Sequence, residues 1–286
     1  LYIRNRASPG ATERNVTRRV TGGLGDVKDV SVSYDGKKLL FALHLPADPN
    51  ADVQPTWNLW EYVVATDELR RVIASDTTAE EGEDVAPQYL PDGRIVFSST
   101  RQRQSRATLL DENKPQFSGL DEDLQEQAEV LHVMNDDGTD NPQLSFNQSH
   151  DLDATVLDDG EVLFSRWPHM GGHNVVDLYR SRPDGTELHI AYGAHSHATG
   201  TGGAAVQFVR PREMPDGRIA SIVRPFTSNR LGGDLVVIDV AHYADHDQPV
   251  WSSRNTVSGE GQAPLTGNDA HSDNTPSPGG LFNAAY

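Results

Sequence analysis

The chain has 286 residues, of which 36% are hydrophobic, and this is enough to form the core of one large all-β domain. Its formal net charge of −18 repels a phosphate backbone, so we expect no nucleic-acid partner. The absence of cysteine excludes disulfides, thiolate metal sites and covalent c-type haem attachment within this segment, and no apolar run is long enough for membrane insertion.

Four segments along the chain share one pattern. In each, an extended stretch runs into an Asp-Gly turn and a β-branched or aromatic strand leaves it. Glycine accepts the positive φ that such turns require, and aspartate caps the turn with its side chain. The pattern therefore predicts four β-hairpins, with turns at Asp35-Gly36, Asp92-Gly93, Asp159-Gly160 and Asp216-Gly217.

A second hairpin follows each of the first three, at residues 59–73, 130–144 and 177–191. Two consecutive hairpins form a four-stranded antiparallel meander, which is the blade of a β-propeller. The sequence therefore predicts an all-β fold with about four complete blades, over residues 26–73, 84–145, 151–192 and 204–266. The one helix that we predict lies within an insertion, at residues 121–130.

Both ends of the chain resemble parts of further blades. Residues 1–22 are expected to form the last two strands of a partial blade, and residues 275–286 to begin the next one. Because an open array would expose a strand edge, we expect a fragment of a six- or seven-bladed propeller that forms a single domain over residues 1–286. The chain begins at Leu1, so a signal peptide is expected to have been removed or to lie outside the segment.

The repeat carries a family resemblance. Asp84-Val85-Ala86-Pro87 running into Pro91-Asp92-Gly93 and Phe97 resembles the propeller repeat of TolB. The segments DLDATVLDDGEVLFSRW, DLYRSRPDGTELHIAYG, DLVVIDVAHYADHDQPVW and SPGGLFNAAY resemble the middle domain of the hydrazine synthase alpha subunit. The second resemblance implies flanking haem-bearing domains with Cys-x-x-Cys-His motifs, which are absent from this segment, so no redox role is transferred to any residue.

Strand order predicts where binding residues concentrate. In a four-stranded meander the Asp-Gly turns lie at one end of each blade, here named the tight end. Nearly all long connections lie at the opposite, long-loop end, at residues 44–56, 101–128, 167–176, 195–203 and 224–233. The long stretch 241–261 is the exception, because it joins strands at the tight end.

The histidines favour the long-loop end. His169 and His173 share one loop, and His195 and His197 share the next. Histidine is a common ligand of zinc and other borderline metals, so one hypothesis is a divalent-metal site formed by these four residues. The alternative, which the sequence favours, is loop histidines that hydrogen-bond to the backbone.

The remaining ligand-face candidates are two residues at the entry to the third blade and three arginines that follow second strands. The arginines could anchor anions or carboxylates, and the favoured alternative is structural pairing with aspartate or glutamate. These candidates are His150, Asp151, Arg101, Arg166 and Arg224.

Spacing reveals no catalytic constellation, so whether the chain belongs to an enzyme stays open. One hypothesis is a non-catalytic module of a larger exported bacterial protein, periplasmic or secreted, that binds a protein partner, a ligand or flanking domains of its own chain. The other is the propeller domain of a haem- or metal-dependent oxidoreductase whose catalysis lies in flanking domains. Cofactors other than the candidate metal are unknown. Cys-x-x-Cys-His motifs in the full-length gene would favour the second hypothesis.

Overall fold

A computed structural model describes residues 1–121, 124–168, 174–225, 232–266 and 282–284. Its contacts divide the chain into two compact units. Unit 1 comprises residues 1–118 and 131–143, and unit 2 comprises residues 119–130 and 144–286. Antiparallel sheets dominate both units, so the predicted all-β class is confirmed.

Unit 1 contains a two-stranded sheet, a four-stranded sheet and a three-stranded sheet, in the orders β1-β2, β3-β4-β5-β6 and β7-β8-β9. The strands are β1 (Tyr2–Arg4), β2 (Glu13–Asn15), β3 (Asp26–Val32), β4 (Lys38–His44), β5 (Trp57–Val63), β6 (Glu68–Arg71), β7 (Asp84–Tyr89), β8 (Ile95–Ser99) and β9 (Val130–Met134). A single bridge between His132 and Gln143 stands where the fourth strand of the second blade was expected. The helices are α1 (Arg18–Thr21), α2 (Asp76–Ala79) and α3 (Arg103–Asp111).

Unit 2 contains two four-stranded sheets, ordered β10-β11-β12-β13 and β14-β15-β16-β19, and a small hairpin of β17 and β18. Its strands are β10 (Asp151–Val156), β11 (Val162–Arg166), β12 (Asp177–Ser181), β13 (His189–Tyr192), β14 (Gln207–Glu213), β15 (Ile219–Arg224), β16 (Asp234–Ile238), β17 (Tyr243–Asp245), β18 (Gln248–Pro249) and β19 (Gln262–Pro264). Short 3₁₀ turns lie at His197–Thr199, Thr201–Gly203 and Trp251–Ser253. The hairpin and the third turn lie in the connection between β16 and β19.

The meander order and the antiparallel registers confirm a β-propeller fold of four-stranded blades. Every residue of β8, β9, β11 and β16 is buried, as expected for inner blade strands covered on both faces. Each unit has its own apolar core. Leu40, Ile95 and Phe97 lie in the core of unit 1, and Leu178 and Phe208 lie in that of unit 2.

Each first strand is interrupted by a β-bulge that the sequence did not indicate. The residue seven positions before the turn glycine has a positive φ: 54° at Asp29, 50° at Ala86, 53° at Asp153 and 53° at Arg210. Within unit 1, Asp29 Oδ2 accepts a hydrogen bond from the Ala86 amide of the next blade at 3.2 Å. Within unit 2, Asp153 Oδ2 accepts from the Arg210 amide at 3.3 Å. At Asp29 and Asp153 the bulge thus directs a carboxylate towards the neighbouring blade's backbone.

Two turn glycines, Gly36 and Gly138, differ in how much space surrounds them. Gly36 has a φ of 70°, and a Cβ atom there would meet nothing within 4 Å. Gly138 has a φ of 82°, and a Cβ atom there would lie 2.5 Å from the carbonyl oxygen of Val72. Glycine is therefore required at Gly36 by backbone conformation alone, and at Gly138 also by close packing.

The predicted helix at residues 121–130 is wrong for the part that is described. Leu120 and Gln127 form a β-bridge, and Asp121 Oδ1 accepts hydrogen bonds from the amides of Gln125 and Glu126, which closes a turn. The helix of this insertion is instead α3. Among the described residues no helix is long and apolar enough to cross a membrane.

Candidate functional site

The long-loop end of unit 1 carries a fully buried ion pair. Asp84 begins β7, and Arg101 follows β8 by two residues. The Arg101 Nε atom donates to Asp84 Oδ1 at 2.9 Å, its Nη2 donates to Asp84 Oδ2, and Ser99 Oγ donates to Asp84 Oδ1 at 2.7 Å. Both side chains of the pair are 0% exposed. Arg101 is therefore inaccessible to a ligand. Because it also donates to the carbonyl oxygens of Thr78 and Ala79, it links β7 and β8 to α2.

Unit 2 repeats this arrangement in its first blade. Arg166 Nε donates to Asp151 Oδ1 at 2.7 Å and its Nη2 donates to Asp151 Oδ2 at 3.0 Å. The same Nη2 donates to the Phe146 carbonyl at 2.8 Å. Structural pairing, the alternative favoured from the sequence, is thus the arrangement of Arg101 and Arg166. The third arginine, Arg224, is half-buried at the end of β15, opposite Gln207.

His150 lies at the same end of unit 2 as a neutral ring. Its Nδ1 accepts a hydrogen bond from the Glu129 amide at 3.1 Å, which requires Nδ1 to be unprotonated. Burial lowers the pKa of His150, outweighing the opposite effect of nearby carboxylates. The ring stacks on Trp167 with centroids 5.7 Å apart, and Trp167 Nε1 donates to Asn174 Oδ1 at 2.7 Å.

The four predicted metal ligands differ in where they lie and in what they contact. His169 and His173 lie outside the described residues. His195 is exposed, and His197 places Nδ1 2.7 Å from the Val206 carbonyl and Nε2 2.7 Å from Asp177 Oδ1. Both ring nitrogens of His197 therefore lie within hydrogen-bond distance of an oxygen atom of the chain.

No group of three or more His, Cys, Asp or Glu side chains within the described ranges is arranged to hold a metal ion. Because two of the four predicted ligands lie outside those ranges, the divalent-metal site stays a prediction.

A pocket of about 240 Å³ lies in unit 2, between the loop that follows β13 and the long connection from β16 to β19. This pocket, named the blade-4 pocket, has a mixed polar and apolar lining. It is lined by Thr199, Gly200, Thr201, Gly202, Val236, His246, Glu260, Gln262 and Pro264.

The connection from β16 to β19 reaches the pocket because it folds back along the preceding blade. Asp245 Oδ1 accepts hydrogen bonds from the His195 amide at 2.7 Å and from Ser196 Oγ at 2.8 Å. Ser196 Oγ in turn accepts from the His246 amide at 2.8 Å. A segment that leaves the tight end thus lies beside residues that follow β13 at the long-loop end.

Polar side chains from both connections line the blade-4 pocket. His246 Nε2 is 3.5 Å from Glu260 Oε1, and the buried His246 Nδ1 has no partner among the described residues. Gln262 donates its amide to Thr199 Oγ1 at 3.2 Å and accepts from the Tyr192 hydroxyl at 3.1 Å. The Gln262 side chain is therefore held at both ends by hydrogen bonds, whereas Glu260 is 68% exposed.

The charge around the blade-4 pocket is negative. Burial raises the pKa of Tyr192, and the charges of Asp245, Asp247 and Glu260 raise it further. A carboxylate or phosphate ligand would be repelled by these side chains. The arrangement therefore favours neutral or cationic ligands.

His246 and Glu260 are not predicted from the sequence, in which the stretch 241–261 is only an exception to the loop pattern. The signal was the length of that stretch together with its Asp-His-Asp triplet at residues 245–247. A long connection at a tight end must pack somewhere, and here it packs on the neighbouring blade.

Comparisons with known proteins support the fold. Hydrazine synthase from Kuenenia stuttgartiensis superposes with a TM-score of 0.59 at 16% identity, over 82% of this chain and 33% of that one. The putative TolB from Agrobacterium tumefaciens superposes with a TM-score of 0.50 at 13% identity, over 93% of this chain and 69% of that one. This chain thus spans about one third of the hydrazine synthase chain. No family model and no curated protein matches it. The predicted TolB-like and hydrazine synthase-like propeller fold is confirmed.

Proposed function

We propose that this chain is a non-catalytic β-propeller module of a larger exported bacterial protein, and that it binds a ligand or partner at the long-loop end. The observation that carries the proposal is the blade-4 pocket, whose polar side chains come from two separate connections supported by a rigid sheet. Its volume of about 240 Å³ is below the ~300–1,000 Å³ of drug-sized ligand sites, which suits a small molecule.

The chemistry of the lining narrows the ligand class. Glu260 accepts hydrogen bonds, and so does the Thr199 hydroxyl, whose own proton is donated to the Ser196 carbonyl at 2.8 Å. The local charge is negative. A hydroxyl-rich neutral molecule or a small amine meets these demands, whereas a carboxylate does not. A periplasmic or secreted location belongs to the same proposal and rests on the TolB-like fold.

The test is ligand-detected NMR with three classes of probe: neutral monosaccharides, small monoamines and small monocarboxylates. We expect saturable binding from the first or second class and none from the third. His246→Ala and Glu260→Gln should each weaken that binding at least tenfold, because a hydrogen bond to a charged group contributes about 1.5–3 kcal/mol. His242→Ala is the matched control, since His242 lies on the same connection and outside the pocket lining. Equal affinities for the His246 and His242 variants would refute the proposed site.

A second candidate is the propeller domain of a haem- or metal-dependent redox enzyme with catalysis in flanking domains. The specific observation that favours it is the superposition on hydrazine synthase, of whose chain this fold spans only one third. The complete gene distinguishes the two functions. Cys-x-x-Cys-His motifs outside this segment, with haem absorbance in the full-length protein, would favour the enzyme. Their absence would favour the binding module.

A further inference from the structure

Positive charge is concentrated in one region of an otherwise acidic chain. The first 25 residues contain five arginines and a single carboxylate, whereas the whole chain has a net charge of −18. Three of these arginines line a cleft of about 350 Å³ in unit 1. The cleft, named the arginine cleft, is lined by Arg14, Asn15, Val16, Arg18, Arg19 and Asp67.

One arginine of the cleft is held by fixed partners. Arg14 donates to the Tyr62 hydroxyl at 2.5 Å, and its Nη1 lies 2.6 Å from Asp67 Oδ1. Tyr62 also donates to Asp67 Oδ1, at 2.9 Å. The hydrogen bond from Tyr62 and the adjacent Arg14 charge lower the pKa of Asp67, so its carboxylate remains ionised and neutralises Arg14.

The other two arginines form no ion pair of their own among the described residues. Arg19 donates Nη1 to the carbonyl oxygen of Asp67 at 2.8 Å, and a carbonyl carries no net charge. Arg18 is exposed, and its guanidinium makes no hydrogen bond or ion pair with any part of the chain that is described. Asn15 Oδ1 accepts from Thr17, and the Asn15 amide NH₂ donates to no acceptor among the described residues. The cleft therefore offers two positive charges and several N–H donors against one carboxylate that is already paired.

Guanidinium groups recognise tetrahedral and planar oxyanions through paired N–H donors. A long polyanion would also meet the acidic remainder of the surface, while a compact anion experiences mainly the charges within about 10 Å at 0.1 M salt. We propose that the arginine cleft is a binding site for a compact oxyanion of the phosphate or sulfate type. The site is separate from the blade-4 pocket, which disfavours anions.

The proposal is tested by calorimetric titration of the full chain with inorganic phosphate, sulfate and a long linear polyphosphate, beginning at about 0.1 M ionic strength. We expect one saturable site for phosphate or sulfate, weakened as salt is added, and no tighter binding per site for the polyphosphate. Arg18→Gln/Arg19→Gln should weaken phosphate binding at least tenfold. Both side chains are exposed, so the melting temperature should be unchanged, and Arg18→Gln alone should weaken binding severalfold.

The matched control is Arg94→Gln/Arg103→Gln, which removes the same charge from two other exposed arginines of unit 1. Its phosphate affinity should stay within twofold of that of the parent. The proposal is overturned if the parent shows no saturable binding of phosphate or sulfate, or if the two double variants lose affinity equally. Tighter binding of the polyphosphate would indicate a site for an extended anion and would also overturn the proposal.

Discussion

Replacing Asp84 with asparagine should destabilise the protein strongly, because it removes the buried counter-charge of the Arg101 guanidinium. The carboxylate that remains is that of Glu81, which is 3.7 Å from Arg101 and 37% exposed. Asparagine keeps the size of the side chain and one acceptor, but it removes the negative charge and one of the two carboxylate oxygens that Arg101 contacts. Removing one partner of a buried ion pair costs about 3–5 kcal/mol, since the remaining charge stays desolvated. We therefore expect a loss of this size in the free energy of unfolding.

The assay is urea denaturation followed by circular dichroism, with two controls. Asp92→Asn disrupts a pair in which Arg94 is 40% exposed and Asp92 is 52% exposed, so its cost should be below about 1 kcal/mol. Asp84→Leu/Arg101→Met removes both charges and should be closer to the parent than Asp84→Asn is. If Asp84→Asn costs no more than Asp92→Asn, the buried pair does not have the structural role assigned to it.

Three further outcomes are expected from the same denaturation assay. Asp29→Ala should lower the free energy of unfolding by about 1–2 kcal/mol, because it removes the hydrogen bond to the Ala86 amide and places alanine at a positive φ. Asp29→Asn should lower it by less than about 0.5 kcal/mol, and equal losses would contradict the bulge contact. The pKa of His150 is lower in the folded chain than in the unfolded chain, so its contribution to the free energy of unfolding is present above about pH 6.5 and is lost as the pH falls below that value. His150→Gln should make the free energy of unfolding depend less on pH below about 6.5. An unchanged dependence would contradict this prediction. Gly138→Ala should lower the free energy of unfolding by about 2 kcal/mol more than Gly36→Ala does. Both variants strain the backbone, but only Gly138→Ala introduces a steric clash. Similar losses would contradict the close packing at Gly138.

The parts of the fold that the sequence predicted are those with local causes. An Asp-Gly pair between two extended runs specifies a tight turn by itself, so the turns and the hairpins could be located without any tertiary information. The bulges at Asp29 and Ala86 could not, because each places a non-glycine residue at positive φ and depends on packing between neighbouring blades. The prediction of a helix at residues 121–130 is wrong because the Asp121 side chain accepts a hydrogen bond from the Gln125 amide and closes a turn instead.

The candidate sites depend on contacts that are distant in sequence. His246 and Ser196 are 50 residues apart, and no pattern in either segment indicates that the two meet. Likewise, Arg14 lies in β2 and Asp67 in the turn between β5 and β6, although the excess of arginine near residue 14 is visible in the sequence. Strand order correctly placed the loop of residues 195–203 at the long-loop end, and this is one of the two walls of the blade-4 pocket.

Hydrogen exchange followed by mass spectrometry, with and without the tightest-binding probe from the NMR panel, tests the proposed function most directly. Ligand binding in the blade-4 pocket should slow exchange in peptides that cover residues 199–204 and 243–262, and should leave the tight turns at Gly36 and Gly93 unchanged. Protection confined to the tight turns, or no protection by any probe of the neutral or cationic classes, would contradict the proposal that this propeller binds a ligand at its long-loop end.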